Sequence, residues 1–292
     1  MSQLTRDIPS LQLKDGSAIP LLAYGTGSVL GKAADDGTLD VKTVEHIQKA
    51  LKLGYTHIDC AEAYNNEREV GAAIQQSQIA REKLFVTTKT LGFQPIAQAL
   101  DASLQKLQLS YVDLYLLHIP WLEPTRSLRH VWAEMEAVKA SGKAKAIGVS
   151  NFAISHLETI KAGASEIPAV NQVEYNIYLQ QSELSAYCQR YGITIEAYGP
   201  LAPCITEGPA KVTVGELARK YGVGEAEICL RWCVQKGVVV VTTSLKEERV
   251  KGYLTALEFS LEDEEIEQLS SVGASHHFRK YFAENFAGED KA

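Results

Sequence analysis

Gly54-Tyr-Thr-His-Ile-Asp-Cys-Ala-Glu-Ala-Tyr64 passes from a helix end through a strand into a loop, and it finishes on an acid and a phenol. Gly54 follows a helical pattern and suits the left-handed position that ends a helix. Tyr55 to Ile58 is aromatic and β-branched, the composition of a short strand. Asp59 and Tyr64 then fall at and just past that strand's C-terminal end, where a parallel α/β barrel collects its reactive side chains. Taken alone, a strand-end Asp reads equally well as a turn former or a helix cap. Recurrence shifts the balance, because Lys89 follows Leu84-Phe-Val-Thr-Thr and His118 follows Asp113-Leu-Tyr-Leu-Leu.

Working outward, strand and helix alternate. Short apolar strands are expected at Leu21–Tyr24, Tyr55–Ile58, Phe85–Thr88, Leu114–Leu117, Ala146–Val149, Val170–Val173, Thr194–Ala197 and Val238–Val241. Between them lie helical faces spaced by threes and fours: Val41, Val44, Ile47 and Leu51; Ile96, Leu100, Leu104 and Leu107; Leu128, Val131, Met135 and Val138. Two helices, Thr213–Tyr221 and Gly224–Lys236, both precede the last strand, so one is an addition to the simple pattern. Strands buried on both faces and joined by helical crossovers imply a closed parallel sheet. The expected fold is an α/β (β/α)8 TIM barrel forming a single domain over residues 1–292. A hairpin at Leu11–Pro20, turning at Asp15-Gly16, plugs one end. A tail with His276, His277, Phe278, Tyr281 and Phe282 lies near the mouth. Gly25-Thr-Gly-Ser-Val-Leu-Gly31 fails as a dinucleotide fingerprint, since Leu30 stands where glycine is required and the helix begins only near Asp40.

A length of 292 residues with 46% hydrophobic and 22% charged residues suits one large barrel with a substantial core. The net charge of −7 argues against nucleic acid or an anionic membrane as partner, and no apolar run reaches membrane-spanning length. Met1 to Asp7 has no apolar signal core and the five cysteines match no disulfide framework, so a cytoplasmic location is expected. Cys229 and Cys233 share a helix face, but two ligands make no zinc site and both read as buried structural thiols. No metal and no obligate protein partner are expected.

Asp59, Tyr64, Lys89 and His118 on one rim form a candidate catalytic set. A phenol with an ordinary pKa of ~10 is a poor acid at neutral pH, and a cation at ~4 Å contributes ~4 kcal/mol at an effective dielectric of ~20, enough to bring it down. Lys89 is placed to do so, Asp59 to keep it charged, and His118 to bind a carbonyl oxygen. Ser150, Asn151 and Gln172 at the next strand ends suit a carboxamide, with helix capping as the plainer role for the first two. Tyr198 offers a flat face to a planar ring, or is simply core. Ser244 with Glu247 reads as a capping box at a helix N-terminus suited to an anion, and Lys246 and Arg249 add charge there. A Schiff base on Lys89, as in an aldolase, is the competing chemistry and needs a neutral amine.

With these residues assembled, the chain resembles the aldo-keto reductase superfamily over nearly its full length. The resemblance is carried by Gly54 to Asp59 with Ala63-Tyr-Asn-Asn-Glu67, Val112 to His118, Gly142-Lys through Ile147-Gly-Val-Ser-Asn-Phe152, Pro168 to Glu174, and Ala197-Tyr-Gly-Pro-Leu201. It implies a catalytic tetrad of Asp59, Tyr64, Lys89 and His118 with Tyr64 as general acid, and NADPH-dependent reduction of a small-molecule carbonyl substrate. It further implies that Ser150, Asn151 and Gln172 hold the nicotinamide carboxamide, that Tyr198 stacks on the ring, and that Leu201, Ser244 and Arg249 contact the rest of the cofactor. Thr242-Thr-Ser replaces the usual Pro-Lys-Ser, and Tyr253 stands for an Asn. Thr243 in place of lysine leaves NADH possible, with Lys246 and Arg249 as compensating charges. This variant looks like a fungal branch that includes α-keto amide and conjugated polyketone reductases. Gly27 replaces a common tryptophan, and the Ile119–Ser127 and Ala202–Val212 loops are short. An open pocket walled by Trp121 and the tail aromatics is therefore expected, suited to bulky activated ketones such as keto esters or diketones. Some members are similar to reductases yet serve as nicotinamide-sensing channel subunits, the other function left open here.

Overall fold

The computed structural model describes residues 7–286. The N-terminal signal reading rests on Met1 to Asp7, of which Met1 to Arg6 lie outside the described residues. Eight strands, β1 Leu22–Gly25, β2 His57–Asp59, β3 Phe85–Thr90, β4 Val112–Leu117, β5 Ala144–Ser150, β6 Val170–Glu174, β7 Thr194–Tyr198 and β8 Val239–Thr242, close into a barrel in sequence order, with β8 paired to both β7 and β1. Every pairing is parallel. The antiparallel hairpin of Ser10–Gln12 and Ala18–Pro20 turns through Gly16 at φ +85°, and its Leu13 and Ile19 pack with Phe85, Leu114, Leu116, Val170 and Val239. Phe85, Val170 and Val239 are the first residues of their strands, so the hairpin seals the N-terminal end.

Helices surround the cylinder: α1 Val41–Lys52, α2 Glu67–Ser77, α3 Ile96–Leu107, α4 Leu128–Ala140, α5 Ile154–Lys161, α6 Ser182–Tyr191, α7 Ala202–Ile205, α8 Ala210–Tyr221, α9 Glu225–Gln235, α10 Glu247–Tyr253 and α11 Asp263–Ala274. The Asp40 side chain accepts from the Lys42 N–H and from the Thr43 hydroxyl, which starts α1. Gly54 ends that helix at φ +102°. The helical periodicity overlooked α2, whose buried face mixes Val70 and Ile74 with Gly71, Ala72, Ala73 and the side chains of Glu67 and Glu69. A Cβ on Gly71 would come within 2.4 Å of the Leu107 carbonyl oxygen, so the helix packs closely on the end of α3 there. Most of the Ala202–Val212 segment, expected as loop, is helical in α7 and the start of α8. No described helix is long and apolar enough to cross a membrane.

Candidate active site

Side chains alternate along each strand, so residues two apart share the barrel interior. Phe85, Thr87 and Lys89 climb β3 in this way, Leu114 and Leu116 climb β4 toward His118 just beyond its end, and His57 and Asp59 climb β2. At the top, Lys89 Nζ donates to Asp59 Oδ1 at 2.6 Å, to the Cys60 carbonyl at 3.0 Å and to Tyr64 Oη at 3.3 Å. The His118 ring meets the Tyr64 ring edge to face at 5.6 Å. All four candidate catalytic side chains therefore converge.

Tyr64 is held by its loop. It ends the 3-10 turn Glu62–Tyr64, which Asn65 closes at φ +56°. Glu62 Oε1 accepts from the Leu91 N–H at 2.5 Å and from the Thr90 hydroxyl at 3.1 Å, tying that turn to the end of β3. Buried Asn66 donates to the carbonyls of Thr26 at 2.7 Å and Leu30 at 2.9 Å, fixing the neighbouring loop. Gly27 in that loop lies against the phenol, and a Cβ there would sit 2.9 Å from Tyr64 Cζ. Its missing side chain leaves room for the Tyr64 ring.

The electrostatics correct one expectation. Burial raises the Tyr64 pKa and outweighs the opposing pull of Lys89, so the phenol stays protonated well beyond neutral pH instead of being brought down. Burial also pulls on Lys89, but the Asp59 carboxylate overcomes it and the ammonium's pKa is raised. A permanently charged Lys89 is a poor Schiff-base nucleophile. Burial, helped by Lys89, lowers His118 to about 3, so its imidazole is neutral, and its Nδ1 has no partner.

Beneath this layer lies a set of groups that the sequence reading missed. Gln172 Nε2 donates to Asp59 Oδ2 and to Glu196 Oε2, each at 2.8 Å. Glu196 is fully buried, and burial followed by the Asp59 charge pushes its carboxyl up to about 8. Its Oε1 has no hydrogen bond and faces His57 Nε2 at 3.7 Å. His57 is lowered to about 4 by burial and contacts the Thr87 hydroxyl at 3.0 Å. The available signal was period-two spacing: Glu196 stands two residues before Tyr198, and His57 two before Asp59.

The carboxamide candidates also converge, though largely on one another. Ser150 Oγ donates to the Gln172 carbonyl at 2.7 Å; Asn151, at φ +63°, donates to the His118 carbonyl at 2.9 Å and accepts from the Tyr198 hydroxyl at 2.6 Å. Both amide protons of Gln172 are committed to the carboxylates, so the part left to a ligand is its side-chain oxygen. Leu201 precedes α7 as its N-cap. The capping-box reading of Ser244 does not hold: α10 begins at Glu247 with Lys246 as N-cap, and the Ser244 hydroxyl accepts from the Lys246 N–H at 3.1 Å in a turn before the helix. Lys246 and Arg249 are exposed there and, among the described residues, form no ion pair. This donor set fits a nicotinamide dinucleotide: amide and hydroxyl groups beside the tetrad, an aromatic ring next to them, and free cations at the far edge.

At the mouth, Trp121 packs against Phe282 at 5.3 Å and Phe286 at 5.4 Å between ring centres. The tail is anchored where buried Glu174 accepts from the N–H groups of Lys280 and Tyr281, each at 2.8 Å, and the Tyr281 ring lies edge-on to Tyr198 at 5.5 Å. Cys229 and Cys233 are both buried, and Cys229 touches Cys204 of α7. Among the described residues no three ligating side chains gather as a metal site.

Comparison with known proteins gives a match to the aldo/keto reductase family over residues 21–274. The NAD/NADP-dependent indole-3-acetaldehyde reductase of Schizosaccharomyces pombe is 39% identical over 91% of this chain and 96% of its own. The NADPH-dependent alpha-keto amide reductase of Saccharomyces cerevisiae is 39% identical over 90% of each. Among solved structures, the Bombyx mori aldo-keto reductase in complex with NADP superposes with a TM-score of 0.85 at 30% identity, covering 97% of this chain and 98% of that one.

Proposed function

The chain belongs to the aldo/keto reductase family, and from that premise we propose that it reduces aldehydes and activated ketones to alcohols with NADPH, using Tyr64 as general acid. The observation that carries this reading is the Asp59–Lys89–Tyr64 chain, with contacts of 2.6 and 3.3 Å beside a neutral His118 whose Nδ1 has no hydrogen-bond partner. The nicotinamide cofactor supplies the hydride. The protein supplies the proton and the field. Tyr64 Oη, kept protonated by burial, hydrogen-bonds the carbonyl oxygen and gives up its proton as negative charge grows there. Lys89 is already beside that oxygen and stabilises the phenolate left behind, which requires no rearrangement at the moment of reaction. Asp59 keeps Lys89 charged and aimed. Neutral His118 donates one ring N–H to the same carbonyl oxygen and orients the substrate.

Lys246 and Arg249 are the groups for the 2′-phosphate, which favours NADPH over NADH despite Thr243. Two relatives support this cofactor, one named for its dependence on NADPH and the other for dependence on NAD or NADP. Gly27 and the aromatic wall of Trp121, Phe282 and Phe286 support keto esters and diketones as substrates. The test is NADPH oxidation by a panel of aldehydes, keto esters and diketones, with NADH in parallel. Tyr64→Phe is expected to lose roughly 10²–10⁴-fold in kcat/KM while cofactor affinity holds. Full turnover by that variant would remove Tyr64 from the acid role, and binding of NADPH with no turnover of any carbonyl would favour a nicotinamide-sensing subunit.

A further inference from the structure

Outside the active site, two thiols meet across elements far apart in sequence. Cys204 lies on α7, the four-residue helix that follows Leu201, and Cys229 on α9; their sulfurs are 3.8 Å apart. The two environments differ. Cys229 is fully buried, whereas Cys204 is partly exposed. The hydrogen bond between them lowers the Cys204 pKa and, together with burial, raises that of Cys229 well above normal. Cys233, one turn further along α9, is buried with its pKa raised by burial, and Cys188 is buried elsewhere. One accessible, more acidic thiol beside one shielded thiol is the arrangement of an attacking and a resolving cysteine.

We propose that Cys204 and Cys229 form a redox pair, closed to a disulfide by hydrogen peroxide, and that the bond fixes the segment from Tyr198 to Ile205 and thereby alters how tightly the nicotinamide cofactor is held. In the first step the Cys204 thiolate attacks one peroxide oxygen. The O–O bond breaks, hydroxide leaves and takes a proton to become water, and Cys204 is left as a sulfenic acid. Cys229 Sγ then attacks Cys204 Sγ, the S–O bond breaks, and the departing hydroxide takes the Cys229 proton as a second water. Two thiols are oxidised and one peroxide is reduced, with no further reagent. A disulfide of ~2.05 Å requires the sulfurs to close by about 1.8 Å from their 3.8 Å contact. The first half of the proposal stands on the thiols alone; the second rests on the cofactor reading above.

The experiment treats the reduced full-length protein with hydrogen peroxide, maps disulfides by mass spectrometry of peptides, and titrates NADPH against the reduced and oxidised forms by protein fluorescence. The expected result is a Cys204–Cys229 cross-linked peptide, lighter than its parts by two hydrogen atoms, and a several-fold change in NADPH affinity that thiol reductant reverses. Cys204→Ser, at a partly exposed position, should fold normally and lose both effects, whereas Cys188→Ser should keep both. No cross-link, or one joining Cys229 to Cys233, would overturn the pair. A Cys204–Cys229 bond with unchanged NADPH affinity overturns the coupling, and NADPH binding to neither form sinks the cofactor reading and leaves the redox pair standing.

Discussion

At the foot of the barrel the inward residues include Phe85, Leu114, Ala146, Val170 and Val239, closed by Leu13 and Ile19 of the hairpin; one and two steps up the same strands stand Thr87 and Lys89, His118, Ser150 and Gln172. Both ends are buried and share one backbone geometry. What differs is the work done by burial. At the foot, removing apolar surface from water stabilises the fold directly. Near the top, burial opposes ionisation, raising Glu196 and Tyr64 and lowering His57 and His118. Only paired charges such as Lys89 with Asp59 persist there. The comparison teaches that stability and reactivity are stacked along one axis, so substitutions at the two levels should separate in their effects.

The sharpest attempt to break that separation is Lys89→Met, which leaves Asp59 buried without its cation. Loss of about 3–5 kcal/mol of stability is expected, along with collapse of turnover. Adding Asp59→Asn should restore much of the stability and none of the activity; denaturant melts and steady-state kinetics on both variants check this. At the foot, Leu114→Ala should cost about 2–5 kcal/mol and leave kcat/KM nearly unchanged where the variant is folded, since Leu114 is fully buried in the apolar cluster under the hairpin. A selective loss of activity in that variant would show that the two levels are coupled.

Glu196 sharpens the comparison through pH. Its folded-state pKa lies above its ordinary value, so the folded chain holds a proton that the unfolded chain has released. Its contribution to stability is complete below about 4.5 and fades as pH rises through about 8. Thermal melts from pH 6 to 9 should therefore show a falling midpoint that Glu196→Gln flattens; an identical slope in both proteins would mean that the carboxyl is ionised throughout. The smallest effect is expected at the rim. Ser244→Ala removes only a turn hydrogen bond outside the helix and should stay within about 1 kcal/mol, measurable by the shift in denaturant midpoint.

Much of this was legible in the chain. Strand positions agree to within a few residues because β-branched runs bounded by helical periodicities have few other solutions. Asp59, Lys89 and His118 stood out as polar residues ending apolar strands. Two kinds of feature escaped. Helix α2 mixes Val70 and Ile74 with Gly71, alanines and buried glutamates, so its hydrophobic stripe is short and interrupted. Glu196 was visible as a letter inside Thr194-Ile-Glu-Ala-Tyr198, yet nothing local says that its neighbours are Gln172 and, through it, Asp59.

What the sequence determined by itself was the order of alternating elements, hence a closed parallel barrel, and which side chains end its strands, because both follow from periodicities of two and 3.6 along the chain. The tertiary structure alone decided the balance of forces among those side chains. It set Tyr64 3.3 Å from Lys89 while burying it enough to raise its pKa, made Gln172 a bridge between two carboxylates, and brought Cys204 against Cys229. Distance and solvent exclusion set those interactions, and both depend on residues far apart in the chain.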